Sequence, residues 1–245
     1  SREFRAGHVQ GSGYAHDRPR FGSSRRASAE ARMIESGRIF DVTRTLGFDT
    51  PPYPGDPAFE REAKECGGVT ISRLTMSSHS GTHLDAPAHV FPGGKTLDEY
   101  PPERFFLSAQ VVEAKSERVI TAADVNALRL EEYEAVLFKT LFIGPPDAHK
   151  PLSWISLSPD AAAALVRRGV RLVGIDSPSV DAADATELPV HRTLLGSDVL
   201  VLENCDLREV PAGGYELVCM PLRVRTSDGA PCRCVLIMNG ERATP

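Results

Sequence analysis

The amino-acid sequence predicts a mixed α/β domain that contains more strand than helix. The first observation is the run Val69–Ser77, in which apolar and polar residues alternate with the two-residue period of a strand. The second is a capped helical segment, Ser158–Gly169, which is followed at once by the apolar strand Arg171–Ile175. The third is the C-terminal part of the chain, where short apolar strands predominate.

The predicted domain begins after a segment that differs from the rest of the chain. Residues 1–32 are rich in Arg, Gly and Ser and contain seven Arg against three acidic residues. Such a segment buries too little apolar surface to offset the entropy of ordering. We therefore predict a disordered extension over residues 1–36 and a single domain over residues 37–245. The alternatives are an organelle transit segment, an expression remnant, or an over-extended reading frame whose functional start is Met33.

The strands of the domain are predicted from short apolar runs between turn signals. The first strand is Arg38–Val42, and the loop over residues 49–57 follows it, because proline and glycine exclude regular structure there. The alternating strand Val69–Ser77 comes next. The further predicted strands are Ala109–Ala114, Ala135–Phe138, Arg171–Ile175, Val199–Glu203, Tyr215–Met220 and Cys234–Met238.

Three helices are predicted from their end signals. Thr121–Leu128 and Ser158–Gly169 each begin with a hydroxyl side chain that can cap the first turn. The second of these also has Pro159 in its first turn and a glycine at its end. Leu188–Leu195 is predicted to be a short helix that Gly196 ends.

Composition excludes several classes of protein. The net charge of −5 contains no broad basic field, so nucleic acid is not an expected partner. No stretch approaches the roughly 18 apolar residues that a membrane span needs, and the first residues lack the apolar region of an export signal. Five cysteines at irregular spacing predict reduced thiols rather than a disulfide framework. We therefore expect a cytoplasmic domain that acts on a small molecule.

Three of the seven histidines fall in one eleven-residue run, His79-Ser-Gly-Thr-His83-Leu-Asp85-Ala-Pro-Ala-His89. Gly81 and Pro87 disfavour a helix, so we predict a strand that passes into a loop. In an extended chain His83 and Asp85 point to the same side, and a hinge at Gly81 allows His79 to join them. Two imidazoles and a carboxylate suit zinc or manganese. The run therefore predicts a metal site rather than a histidine-rich surface loop.

A second half of the site is expected, because three ligands leave a metal incompletely coordinated. His191 lies in the apolar segment Leu188–Leu195, and Glu203 ends the apolar strand Val199–Glu203. A buried carboxylate is costly without a partner, and a metal is such a partner. The pattern alone leaves two other interpretations open, a core or surface role for His191 and a solvated strand end for Glu203.

The eleven-residue run resembles the signature of the cyclase-type metal-dependent hydrolases, the family that includes the bacterial kynurenine formamidases. The resemblance covers residues 37–239. Its further segments are Tyr53-Pro-Gly-Asp56-Pro, the stretch from Gly169 to Asp181, Val199–Asn204, the stretch from Pro211 to Leu217, and Asp228-Gly-Ala-Pro-Cys-Arg-Cys-Val-Leu. It implies a compact, barrel-like domain of the swivelling β/β/α type. It also implies a homodimer or a higher homo-oligomer.

The same resemblance implies two zinc ions per subunit, with manganese as the alternative. The implied ligands are His79, His83 and Asp85 for one ion and Asp85, His191 and Glu203 for the other. His89 takes the place of the catalytic acid and base. Tyr53 lies where the formamidases usually have a substrate-contacting Trp, so the aromatic face is kept and its shape is altered.

The reaction that the resemblance implies is hydrolysis of the formyl amide of N-formylkynurenine to kynurenine and formate, a step of tryptophan catabolism. The motif does not distinguish this reaction from ring opening by an isatin-type cyclic amide hydrolase. A cyclase or dehydratase of natural-product synthesis is a third possibility. A non-catalytic metal-binding module would need a closed coordination shell and no spare acid or base, and His89 argues against it.

Overall fold

The computed structural model describes residues 38–47, 50, 52–115, 119–142 and 153–238. The predicted disordered extension over residues 1–36 lies outside these residues. Within them the strands are β1 (Arg38–Asp41), β2 (Glu60–Cys66), β3 (Val69–Thr75), β4 (His83–Asp85), β5 (Phe106–Glu113), β6 (Val119–Ile120), β7 (Ala135–Lys139), β8 (Ser156–Leu157), β9 (Leu172–Ile175), β10 (Leu200–Glu203), β11 (Gly213–Pro221) and β12 (Gly229–Met238). The α-helices are α1 (Ala122–Asn126), α2 (Pro159–Arg167) and α3 (Pro189–Leu195).

Seven of these strands close into a barrel. The order is β12-β11-β5-β7-β9-β10-β4, and β4 pairs again with β12, while β1 lies alongside the far end of β12. The pairs along β5, β7, β9 and β10 are parallel, and the remaining pairs are antiparallel. This arrangement confirms the strand-rich, barrel-like α/β domain that the sequence and its resemblance predict.

Two layers of apolar side chains stabilise the barrel. Along β7, Ala135 and Leu137 face the barrel interior, whereas Val136 and Phe138 pack outward against the helices. Both faces of the parallel strands are therefore buried, which explains why these strands are continuous apolar runs in the sequence. The barrel interior is tightly packed at Gly174, where an added Cβ would lie 2.7 Å from Cγ of Leu137.

The helices begin where their capping residues predict. Ser158 caps α2 by accepting a hydrogen bond from the Ala161 amide, and Thr121 forms a reciprocal capping box with Asp124 at the start of α1. Helix α1 is shorter than the predicted Thr121–Leu128, since it ends at Asn126. No helix in the described ranges has the length and apolarity needed to cross a membrane.

A hairpin of β2 and β3 projects from the domain. The two strands pair with each other over their whole length, and every residue in both is exposed. Strand β3 follows the predicted run Val69–Ser77, whereas β2 is not predicted because its sequence, Glu-Arg-Glu-Ala-Lys-Glu-Cys, has no apolar alternation. A hairpin this exposed has few contacts that stabilise it within one chain.

Candidate metal centre

The eleven-residue run folds into the strand that closes the barrel. Strand β4 is only His83–Asp85, and it is held between β10 and β12. Glu203 is the direct cross-strand partner of His83, and Gly229 is the partner of Asp85. Opposite residues of an antiparallel pair point to the same face, so barrel closure itself brings Glu203 to the histidine motif.

A reversal at Gly81 brings His79 back onto this strand. Gly81 has a φ of +66°, a conformation that favours glycine, and a Cβ there would lie 2.7 Å from Cδ2 of Leu46. As a result, Nδ1 of His79 lies 2.7 Å from Oδ1 of Asp85. Nε2 of His83 lies 3.3 Å from the same oxygen. The side-chain atoms of His79, His83 and Asp85 that could bind a metal all lie within 4.8 Å of one another.

A second group of potential ligands shares Asp85. Nε2 of His191, on α3, lies 3.4 Å from Oδ2 of Asp85 and 3.1 Å from Oε1 of Glu203. The candidate ligand atoms of these three residues also lie within 4.8 Å of one another, and all three side chains are buried. Five predicted residues therefore converge on one place, with Asp85 between the two groups.

Each of the three imidazoles is oriented by a hydrogen bond at its other nitrogen. Nδ1–H of His83 donates to the carbonyl of Gly81 at 2.8 Å, which leaves its Nε2 free to bind a cation. Nδ1 of His191 lies 2.7 Å from Oδ2 of Asp181, and Nε2 of His79 lies 3.1 Å from Oδ2 of Asp228. Outer partners of this kind fix the tautomer and the ring orientation of metal-binding histidines.

The fit of a cation can be tested at Asp85. Its side chain is fully buried, and its Oδ2 accepts no hydrogen bond from the described part of the chain. Leaving a buried polar atom unpaired costs about 1–3 kcal/mol, and more for a charged group. A cation between Asp85, His191 and Glu203 would satisfy that oxygen. The N and O donors present are those that zinc and manganese use in proteins.

The electrostatics of the centre separate His89 from the other histidines. Burial alone would lower the pKa of His79, but the charge of Asp85 and hydrogen bonds with Asp228 and Asp85 raise it to about 10. Burial likewise opposes protonation of His191. The charge of Glu203 and the hydrogen bonds that His191 forms with neighbouring carboxylates nevertheless raise the pKa of His191 well above the usual range. The pKa of His89 is lowered, chiefly by burial, against the charge of Asp85. Among these three imidazoles, His89 is the one whose surroundings favour the neutral form.

His89 belongs to neither of these two groups, but together with His79 and Asp228 it forms a third group whose potential ligand atoms lie within 4.8 Å of one another. It ends the short 3-10 helix Pro87–His89, and its ring centroid is 4.1 Å from that of His79 and 5.5 Å from that of His191. Its Nδ1 is 3.7 Å from Oδ2 of Asp228, and about a quarter of its side chain is exposed. The position is close enough to exchange a proton with a group held at the centre.

Tyr53 lies at the edge of the second group. Burial raises the pKa of its hydroxyl, and the charges of Glu203 and Asp181 raise it further, while His191 opposes them. The ring of Tyr53 packs edge-to-face on Trp154 with 6.1 Å between centroids. Tyr53 is 39% exposed, so an aromatic face is available next to the candidate ligands.

Sequence reasoning missed three residues of the centre as functional residues. Asp181 and Asp228 orient the imidazoles, and Trp154 donates through Nε1 to the carbonyl of Asp181 at 2.8 Å. All three lie in loops, where no periodicity distinguishes a structural carboxylate from a solvated one. The one available signal was the resemblance, since Asp181 and Asp228 fall in its quoted segments.

Comparisons with known proteins agree with the predicted resemblance. Residues 40–182 match the family model described as putative cyclase. The chain is 36% identical over 204 residues to the kynurenine formamidase of Salinibacter ruber, which covers 81% of this chain and 96% of that protein. It is 31% identical to a solved Bacillus stearothermophilus protein described as a predicted metal-dependent hydrolase, with a TM-score of 0.72 and coverage of 82% and 98%.

A more distant solved structure shares the fold. It is an isatin hydrolase bound to the product analogue thioisatinate, with 22% identity, a TM-score of 0.74, and coverage of 88% of this chain and 99% of that one. The family match spans more than half of the chain, and the Salinibacter ruber relative is aligned over nearly its whole length. The similarity of the chain to its kynurenine formamidase relatives extends throughout the domain. The chain therefore belongs to the putative cyclase family of metal-dependent hydrolases.

Proposed function

We propose that this protein is an amide hydrolase that cleaves the formyl amide of N-formylkynurenine to kynurenine and formate. The observation that supports this most directly is the buried Asp85, which belongs to both groups of candidate ligands and whose Oδ2 accepts no hydrogen bond from the described residues. The kynurenine formamidase relatives point to the formyl amide as the bond that is cut. Kynurenine as the product would place the reaction in tryptophan catabolism.

Two zinc ions per subunit are the proposed cofactor, with manganese as the alternative. His79, His83 and Asp85 would hold one ion, and Asp85, His191 and Glu203 would hold the other. Such ions, when bound, supply Lewis acidity toward a carbonyl oxygen and make water a stronger nucleophile at neutral pH. Three protein ligands at each ion would leave room for water and substrate.

His89 is the proposed acid and base. Its Nδ1 faces Asp228, so its Nε2 is the nitrogen that we assign to proton transfer. In the neutral form, Nε2 accepts a proton from the water that adds to the formyl carbon. It then donates that proton to the aryl amine nitrogen as the C–N bond breaks, which releases the amine and formic acid, and the acid loses its proton to solvent to give formate. The surroundings that favour a neutral His89 suit the first of these two steps.

Tyr53 is the proposed contact for the aryl ring of the substrate. It offers an exposed aromatic face beside Glu203 and His191, and its hydroxyl can donate a hydrogen bond. Aromatic pairs of this kind prefer offset or edge-to-face arrangements and add about 0.5–1.5 kcal/mol beyond area burial. Because a tyrosine replaces the usual tryptophan here, position 53 is where we expect the substrate preference of this protein to differ most from that of the formamidases.

The test is a direct comparison of substrates with metal analysis on the same sample. Purified protein is assayed on N-formylkynurenine and on isatin, and its metals are measured by elemental analysis. We expect kcat/KM for N-formylkynurenine to exceed that for isatin by at least tenfold, with zinc or manganese present. Faster opening of isatin would replace the proposed substrate with a cyclic amide, and a metal-free active sample would overturn the proposed cofactor.

A homodimer in the cytoplasm is the proposed state of the protein. The β2–β3 hairpin exposes Val69, Ile71 and Leu74 to more than half of their full extent, which supports pairing with a second copy. Free thiols at all five cysteines support a reducing compartment. Light scattering coupled to gel filtration tests the proposal, because replacing the three apolar residues with Thr should shift the protein to the monomer mass.

A further inference from the structure

We propose that Trp154 is a positioning residue that links the aryl-binding part of the site to the ligands of the second metal. The inference rests on the proposed amide hydrolase function and adds to it a residue that decides between aryl and alkyl amides. It starts from the contact between Trp154 and Tyr53, whose rings meet edge-to-face. Trp154 is largely buried, with 9% of its surface exposed, and we assign its accessible part together with Tyr53 to one aromatic wall.

The indole nitrogen joins this wall to His191. Nε1–H of Trp154 donates to the backbone carbonyl of Asp181 at 2.8 Å. The carboxylate of the same Asp181 accepts from Nδ1 of His191 at 2.7 Å and from the amides of Val190 and His191 at 2.9 Å and 3.0 Å. Asp181 therefore fixes both the start of α3 and the ring of its histidine, and Trp154 fixes Asp181.

The segment that contains Trp154 also supports the other ligand. Between residues 154–157 and residues 177–181 there are two further hydrogen bonds, from the Leu157 amide to the carbonyl of Val180 and from Ser177 Oγ to the carbonyl of Ile155, both at 2.9 Å. The Val180 amide then donates to Oε1 of Glu203 at 2.7 Å. One short segment thus supports the loop that holds Glu203 and His191 together.

This connection has a consequence for selectivity. An aryl amide that packs on Tyr53 and Trp154 is placed by the same segment that places His191 and Glu203. An alkyl amide lacks the ring that would make this contact. We therefore expect the protein to prefer aryl formamides over alkyl formamides. This preference should depend on the indole ring of Trp154. The placement of His191 should depend on the indole N–H group.

Two substitutions separate the ring from the N–H group. W154F keeps an aromatic ring and removes the donor, whereas W154L removes both. We expect W154F to retain the preference for formanilide over N-ethylformamide and to weaken affinity for the second zinc equivalent, by less than the about 10–100-fold expected when a direct partner of a metal ligand is changed. We expect W154L to lose the substrate preference as well, through a rise in KM for formanilide. F106L, at an exposed aromatic residue of β5, is the matched control and should change neither property.

Trp154 is the only tryptophan of the chain, so its emission reports on the wall directly in the unmodified enzyme. We expect acetanilide to change this emission and N-ethylacetamide at equal concentration to leave it unchanged. An equal response to both amides, or none, would overturn the aryl wall even if W154L fails to fold. Unchanged zinc affinity in a folded W154F would overturn the link to His191. If no formamide is cleaved, the proposed function fails, while the emission and zinc measurements still decide the role of Trp154.

Discussion

Gly229 lies directly against His79, and a side chain at position 229 would crowd the imidazole. A Cβ at position 229 would stand 2.7 Å from Cε1 and 3.0 Å from Nδ1 of His79, and 3.0 Å from the carbonyl of Leu84. Gly229 is also the cross-strand partner of Asp85 in the pairing that closes the barrel. The position of the first candidate ligand therefore depends on a glycine far from it in sequence.

We expect G229A to reduce the metal content of the purified protein, because the added methyl group displaces His79 from Asp85. The matched control is G174A, whose Cβ would approach Leu137 as closely but lies within the core. Overpacking of this kind costs about 1–3 kcal/mol, so G174A should lower the melting temperature and keep the metal. Elemental analysis and thermal unfolding measure both effects. Full metal content in G229A would contradict the predicted displacement of His79 from the ions.

Asp181 offers a test of the second half of the centre alone. In D181N the side-chain oxygen can still accept the hydrogen bond from the amide at the start of α3. The new NH2 group would then face Nδ1 of His191, and it cannot accept a hydrogen bond from that nitrogen. We expect affinity for one of two metal equivalents to fall by about 10–100-fold, with the other unchanged. Zinc titration against a competing chelator measures the affinities for the two metal equivalents separately. A parallel loss of both equivalents would contradict separate half-sites.

His83 and His89 should respond to substitution in different ways. H83A removes a buried ligand candidate, so we expect loss of metal together with loss of activity. H89A removes the proposed proton carrier, so we expect near-normal metal content with kcat lower by about 10²–10⁴-fold. Metal analysis and steady-state kinetics on the same samples give the comparison. Metal loss in H89A would move His89 into the ligand set.

The sequence predicts the parts of this centre that are dense and local. Three histidines within eleven residues, with a glycine and a proline among them, identify His79, His83 and Asp85 as neighbours because the chain itself places them close. Apolar runs predict the parallel strands for the same reason, since both faces of those strands are buried. These features need no knowledge of how distant segments meet.

The features that depend on distant pairing are not predicted from pattern. Strand β4 has three residues, too few to show a period, and its pairing with β10 and β12 closes the barrel. Pattern alone left the roles of His191 and Glu203 open, and only the resemblance assigned them to the centre. The sequence pattern does not show that Asp181 and Asp228 orient imidazoles, because the fold brings these partners together from distant segments.

The cysteines should differ sharply in reactivity. Cys66 is exposed in β2, and the other four thiols are buried. Burial raises the pKa of the Cys219 and Cys232 thiols, so the reactive thiolate is disfavoured as well as shielded. We expect iodoacetamide to modify Cys66 alone in the folded protein and all five cysteines after unfolding, as read by mass spectrometry. Rapid labelling of Cys219 under native conditions would contradict the closed barrel interior.

Metal uptake by the metal-free protein should release protons. The pKa of His79 is about 10 without a metal, because Asp85 and Asp228 outweigh the effect of burial, so this imidazole is protonated at pH 7.5. A raised folded-state pKa means that the proton stabilises the metal-free fold fully below pH 6.5, and that this stabilisation is lost as the pH rises through about 10. A metal binds only the neutral ring, so its apparent affinity should increase with pH over that range. Calorimetric titration of zinc in two buffers with different ionisation enthalpies measures the protons released. D228N, which removes one of the two charges, should release fewer, and equal heats in both buffers for the unmodified protein would contradict a protonated His79.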